Sequence, residues 1–246
     1  MSENWDFYFR QIEGKAASMF VDLGIVSQTP IAALPNMAYI RLFMNAARED
    51  GLSSPEEFDA LIGIEDAMEE RLVNEETAYV GRSTHDSCRD FFFYVANMDD
   101  WPFRVSDFMQ SFAAYRYEVG NREDADWSLY LEYLYPEPAE RQSIENGRVC
   151  DALERNGDGL SKPREIDHWI SFSSSHNLEN FLTDSSLLGF SIRQISERDG
   201  THWAQIWRID IPTRKGIDDV VAEIITLAVR HAGEYDGWES VVMTEE

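Results

Sequence analysis

Oxygen-bearing side chains at regular spacing are the first residues here that could do chemistry. Glu154, Asn156, Asp158 and Glu165 fall at ligand positions of an EF-hand calcium loop, with Gly159 at its sharp turn. The first ligand is Glu rather than Asp, and Pro163 stiffens the loop. The residues that follow, Asp167 to Ile170, alternate as a strand where a second helix belongs. A helix C-terminus running into a turn accounts for the same residues, so neither a metal nor another cofactor is expected.

Other chemistries find less support. The histidines, His85, His168, His176, His202 and His231, show no His-x-x-x-His spacing, and Cys88 and Cys150 form no Cys-x-x-Cys pair. Neither cysteine has a neighbouring His to activate a thiolate. Ser173, Ser174 and Ser175 precede a helical pattern, where capping explains them better than nucleophilic attack. Glycine-rich phosphate loops and the Gly-x-Ser-x-Gly elbow do not occur. The acid clusters Glu56-Glu57-Asp59 and Glu65-Asp66-Glu69-Glu70 read as a solvated helix face. No catalytic residue is assigned, and the chain is expected not to be an enzyme.

The elements that position these residues follow from periodicity. Trp5, Phe7 and Phe9 alternate as a strand that turns at Glu13-Gly14 and returns over 18–23; a further strand runs over 38–44. Ser54, Pro55 and Glu57 announce a helix with a capping box, carried on by Phe58, Leu61, Ile62, Met68 and Leu72. Strands over 77–82 and 88–95 precede a helix with Trp101, Val105, Phe108 and Met109 on one stripe. Tyr115, Tyr117 and Val119 alternate again, and 127–135 reads as an aromatic strand. Pro136-Glu137-Pro138 breaks the pattern and marks the domain boundary. Beyond it come a polar helix over 139–156, a strand over 166–172, and a helix carrying Leu178, Phe181 and Leu182 that Gly189 closes. A hairpin about Asp199-Gly200 follows, then a helix from Ile217 to His231 that Gly233 ends, and a closing strand over 238–243. Both halves therefore read as βαββαβ. The expected fold is α+β: two tandem ferredoxin-like modules with antiparallel sheets, residues 1–136 and 137–246.

The charge is lopsided, with 46 acids against 21 bases and a net charge of −25. A field of that sign repels phosphate backbones and anionic lipid, so direct nucleic-acid and membrane binding are not expected. It attracts a basic protein and speeds the encounter. No basic, apolar leader is visible at the N-terminus, no apolar run approaches a membrane span, and two cysteines suit a reducing compartment; the expected location is the cytoplasm.

An ordered set of residues in the second half carries a resemblance. Arg148-Val149-Cys150, Leu153-Glu154 and Gly157-Asp158 lead to Ile166-Asp167-His168-Trp169, then Leu188-Gly189-Phe190, and finally Glu234-Tyr235-Asp236-Gly237-Trp238. From about residue 139 to 243 the chain resembles the regulator of ribonuclease E activity B (RraB) family. The first 135 residues resemble a domain of unknown function found ahead of such modules. The resemblance implies a ferredoxin-like fold and an acidic protein inhibitor that binds the non-catalytic scaffold of ribonuclease E and changes which RNA is cut. It supplies no catalytic residues. Tyr235, Asp236, Gly237 and Trp238 are singled out as its motif and as binding candidates, with Asp236-Gly237 expected to turn before the last strand and Trp238 to anchor the core. An immunity-type inhibitor of another basic protein, or a ligand site between the modules, would also suit an acidic, aromatic-rich chain.

Overall fold

A computed structural model describes residues 2–244. The chain forms two units, Met1–Glu140 and Arg141–Glu246.

In the first unit the elements run β1 (Trp5–Ile12), β2 (Lys15–Asp22), β3 (Asn36–Phe43), α1 (Pro55–Leu72), β4 (Thr77–His85), β5 (Cys88–Val95), α2 (Trp101–Met109) and β6 (Tyr117–Glu123). Its sheet has the order β1-β2-β4-β5-β3-β6, antiparallel throughout. The segment from β3 onward, in the order β4-β5-β3-β6, is the ferredoxin-like arrangement. The β1–β2 hairpin widens it by pairing β2 with β4. Both hairpins of this sheet turn on two residues with positive φ, Glu13-Gly14 and Asp86-Ser87, the twist that flanking strands need.

Ser54 opens α1 with extended backbone and its Oγ accepts from the Glu57 N–H at 3.3 Å. The expected capping box is only half made. The Glu57 carboxylate instead accepts the backbone N–H groups of Asn45 (2.7 Å) and Ala46 (2.8 Å) and ties down the incoming loop. The acid clusters also depart from a solvated face. Glu57 and Glu65 are buried, and Glu65 is held under the helix by the Tyr79 hydroxyl (2.8 Å) and Arg82 Nε (2.7 Å). Phe58, expected in the core stripe, is exposed.

The segment over 127–135 is not a strand. Leu129–Leu134 forms a π-helical turn, with Trp127, Tyr130 and Leu134 buried at spacings of three and four. Three polar ties explain why the aromatic alternation loses. The Trp127 Nε1 donates to Leu34 O (3.0 Å), the Tyr130 hydroxyl to Asp22 O (2.6 Å), and the Tyr8 hydroxyl to Leu134 O (2.7 Å). Tyr94 stacks flat on Trp127 at 3.9 Å. The segment covers the sheet face opposite α1 and α2, and tertiary packing overrides strand propensity.

The second unit continues with α3 (Pro138–Arg155), β7 (Arg164–Phe172), α4 (Ser175–Leu187), β8 (Ser191–Arg198), β9 (Thr201–Asp210), α5 (Arg214–Arg230) and β10 (Gly233–Ser240). Strand order β10-β7-β9-β8, all antiparallel, is again ferredoxin-like. Asp199-Gly200 turns the β8–β9 hairpin with φ of +50° and +78°, as its sequence demands. Gly157 and Gly189 end α3 and α4 in the left-handed region. At the end of α5 it is Ala232 that turns left-handed, while Gly233 opens β10. A Cβ at Gly233 would meet the Phe172 ring at 2.2 Å, so the glycine serves close packing instead of ending the helix.

The core of this unit lies on one sheet face. Ile170 and Phe172 of β7, with Ala204 and Ile206 of β9, pack against Leu178 and Phe181 of α4 and Ile224 of α5, while Ile166 packs against Ile217 and Val221 of α5. Cys150 and Leu153 bring α3 onto the same face, with Trp238. Among the described residues no helix of this unit covers the other face.

Candidate functional site

Strand alternation decides which side chains line the uncovered face. On β7 the burial pattern sends Ile166, His168 and Ile170 inward and Asp167 and Trp169 outward. Register aligns Trp169 with Gln205, Asp167 with Trp207, and Ser171 with Trp203. Three partly exposed tryptophans, Trp169, Trp203 and Trp207, therefore stand on one face of two neighbouring strands. Arg193 of β8 lies over the Trp207 ring at 5.1 Å and reaches Asp167 (2.5 Å) and Glu165 (2.6 Å). Gln205 donates to the same Asp167 at 3.1 Å.

The motif Tyr235-Asp236-Gly237-Trp238 lies inside β10, not before it. The expected Asp236-Gly237 turn is a β-bulge: the register against β7 shifts between Tyr235 and Gly237, and Gly237 takes φ +139°. An extra residue in a two-fold pattern changes which face each side chain meets. Tyr235 and Trp238 both go to the helix side. The Tyr235 hydroxyl lies 2.9 Å from His168 Nδ1, and Trp238 Nε1 donates to Asn146 Oδ1 at 3.0 Å. Asp236 goes to the open side. It borders a hollow of about 210 Å³ whose walls are Trp169, Trp203, Gln194, Gln205 and Arg198. Around these tryptophans the open face carries Glu165, Asp167, Glu234, Asp236 and Glu239 against Arg193 and Arg198. Its chemistry is that of an acidic, tryptophan-floored platform, suited to arginine and lysine side chains that seek carboxylates and ring faces together.

The remaining candidates do not converge. Glu154 pairs with Arg214, Glu165 with Arg193, and Asn156 donates to Ala152 O. The Asp158 carboxylate holds Arg164 and accepts the Leu160 and Met243 N–H groups; chiefly those Arg164 bonds keep it well below the usual carboxylate range. Among the described residues no group of three or more His, Cys, Asp or Glu gathers to hold a metal ion. His176 contacts Asn180, His202 Glu197, and His231 Asp184, each separately. Burial pushes the Cys150 thiol up to about 11. Ser174 occupies the N-cap of α4, although its hydroxyl makes no cap bond.

His168 is fully buried and its Nε2 has no hydrogen-bond partner among the described residues. Burial, aided by the Arg208 charge, pushes it down from 6.5 to about 3. The unfolded chain therefore takes up this proton first as pH falls below about 6.5, and stability drops from there towards pH 3. Between pH 7 and 5 the expected loss from this group is about 2 kcal/mol. Urea midpoints at the two pH values should show that loss, and His168→Phe should remove it; a variant keeping the full loss would assign it to other groups.

The tryptophan face was missed in the sequence, yet its signal was present: Trp203, Gln205 and Trp207 share the parity of one strand face.

Fold and site define a tandem ferredoxin-like α+β protein whose second unit offers an acidic platform. The chain belongs to the family of unknown function DUF695, whose model matches residues 3–135, more than half of the chain. The model of the family Regulator of ribonuclease activity B matches residues 143–240, so the second unit is a module of that regulatory family. No curated protein matches in sequence. Among solved structures, a candidate glycine cleavage system transcriptional repressor is similar at TM-score 0.26 and 7% identity, covering 84% of this chain and 98% of that one. An unknown protein from Galdieria sulphuraria reaches TM-score 0.22 at 10% identity, covering 85% and 99%. Neither likeness bears on fold or function. No helix among the described residues is long and apolar enough to cross a membrane.

Proposed function

We propose that this protein is a cytoplasmic, non-catalytic regulator of RNA degradation. In this reading it binds a basic segment in the scaffold region of a ribonuclease E-type enzyme and inhibits cleavage. The observation that carries the reading is the match of residues 143–240 to the ribonuclease-regulator family. The open face supports it physically. Its tryptophans offer flat apolar contact, its excess of carboxylates over arginines attracts a cationic chain, and the net charge of −25 steers such a partner while repelling RNA itself. Asp236 is the motif residue proposed to touch the partner. Tyr235 and Trp238 act from the core side by holding the bulge.

The test is a pull-down from native extract at low and moderate salt, followed by titration of the purified scaffold region of ribonuclease E. Recovery of ribonuclease E, weakened by salt, is expected. Trp203→Ala should weaken the purified interaction about 30-fold, the scale of losing an interface tryptophan. Trp203 is partly exposed on the open face, so the variant should fold. No binding at either salt, or unchanged affinity in Trp203→Ala, would overturn the reading.

A further inference from the structure

The first unit holds a second feature, unrelated to the platform on the second. Two cross-strand rows run over the face of the sheet that carries α1. Register places Phe7 beside Phe20 and Phe20 beside Arg82; one row along, Phe9 meets Ser18, Ser18 meets Thr84, and Thr84 meets Arg89. Four strands thus deliver a graded surface, aromatic at the β1 edge and cationic towards β5. The loop before α1 and its first turn close over this surface with Leu52, Ser53 and Phe58, leaving a cavity of about 410 Å³. That volume falls in the range of small-molecule sites.

Two properties of the cavity are unusual for a solvated groove. Phe7, Phe9 and Phe58 are all exposed around it, at 49%, 62% and 45%, although single surface phenylalanines would scatter. In a chain with more than twice as many acids as bases, three arginines, Arg48, Arg82 and Arg89, line the same space. Arg48 is paired with Asp50 at 2.6 Å. Arg82 takes Glu65 at 2.7 Å. Arg89, only 1% exposed, is left with two hydroxyls, Thr84 Oγ1 at 3.1 Å and Ser53 Oγ at 3.5 Å. Its Nη1 has no hydrogen-bond acceptor among the described residues and lies 3.8 Å from the Glu65 carboxylate that Arg82 and Tyr79 already occupy. One carboxylate thus serves two buried guanidinium groups, and the Arg89 Nη1 donor at the cavity is left without an acceptor. A buried cation in that condition is costly unless an anion completes it.

We propose that this cavity binds a small amphipathic monocarboxylate, its head on Arg89 with the Ser53 and Thr84 hydroxyls and its aromatic or aliphatic body on Phe7, Phe9, Phe20 and Phe58. One unfilled guanidinium donor, with carboxylates already close by, matches a monoanion better than a phosphate dianion, and the rings match an apolar tail. Burial, with Arg82 close by, already draws the Arg89 guanidinium down to about 10, and a bound carboxylate would reverse that.

Calorimetric titration of the full chain with 3-phenylpropionate and with octanoate tests this, with 3-phenylpropanol and phenyl phosphate as comparisons. At least one carboxylate should bind saturably, about tenfold or more tighter than the alcohol, because the charge-assisted bonds to Arg89 are lost with the carboxylate. Phe9→Ala, at an exposed position, should fold normally and weaken binding severalfold. Arg89→Met should abolish it, and Ser53→Ala, which spares the buried charge, gives a second reading of the head site should Arg89→Met fail to fold. The proposal is overturned if neither carboxylate saturates, if the alcohol binds as well as the acid, if phenyl phosphate binds more tightly than both carboxylates, or if Phe9→Ala leaves affinity unchanged.

Discussion

Glu65→Ala should destabilise the first unit by about 3–5 kcal/mol, the cost of stripping the partner from buried charge. Glu65 is 4% exposed and its two oxygens are fully engaged, one by the Tyr79 hydroxyl at 2.8 Å and the other by Arg82 Nε at 2.7 Å. Arg82 and Arg89 would remain in place, both largely buried, with no carboxylate left between them. Both guanidinium groups line the cavity beside Leu52 and Phe58, so any water that solvates them enters there. Urea denaturation followed by far-ultraviolet circular dichroism should read the loss. Pairing Glu65→Ala with Arg89→Met should recover part of it, because the second change removes the charge that the first leaves unpaired. A loss below about 1 kcal/mol for Glu65→Ala would show that water reaches this site and that the pair acts as a surface bridge.

Trp238→Ala should cost the second unit a similar amount, about 3–5 kcal/mol, for a different reason. The indole is 7% exposed and packs with Cys150, Leu153, Ile166, Ile217 and Val221, joining α3, α5 and the sheet. Its removal leaves a cavity where three elements meet and takes from the Asn146 side-chain oxygen one of its two donors, the other being Gln142 Nε2. Trp238→Phe keeps most of the packing and loses the hydrogen bond, so it should cost about 1–2 kcal/mol. Asp236→Ala, on the open side of the bulge, should change stability by less than about 0.5 kcal/mol, as surface substitutions do. Equal stability effects at Trp238 and Asp236 would sink the division of the motif into a core half and a surface half.

Local chemistry made much of the fold legible. Ser54 and Pro55 start α1 where their side chains say it should start, Asp199-Gly200 turns β8 into β9, and Gly157 and Gly189 end helices. Each of these rests on neighbours within four residues, which a linear reading sees whole. The order βαββαβ, twice, followed from periodicity and led to the antiparallel arrangement found in both sheets.

Legibility failed where a residue's partner lies far along the chain. Residues 127–135 alternate as a strand would; the Asp124 carboxylate accepts the Ser128 and Leu129 N–H groups and starts the helical turn, and Leu34, Asp22 and Tyr8, about a hundred residues away, hold it in place. Glu65 looks like one more acid on a charged helix until β4 places Tyr79 and Arg82 beneath it. Tyr235 to Trp238 looks like a turn because Asp-Gly favours one, whereas pairing with β7 makes it a bulge.

The sequence by itself determined the succession of elements, their caps and hairpins, and the acidic surface, because propensity, periodicity and net charge are properties of short segments and of composition. Tertiary structure alone decided which sheet face of the second unit the helices cover, and so turned Trp169, Trp203 and Trp207 outward with Asp236 while drawing Trp238 in. It alone gathered Arg48, Arg82 and Arg89 beside three exposed phenylalanines. Alternation fixes which residues share a face, but only strand pairing over long separations fixes what that face meets.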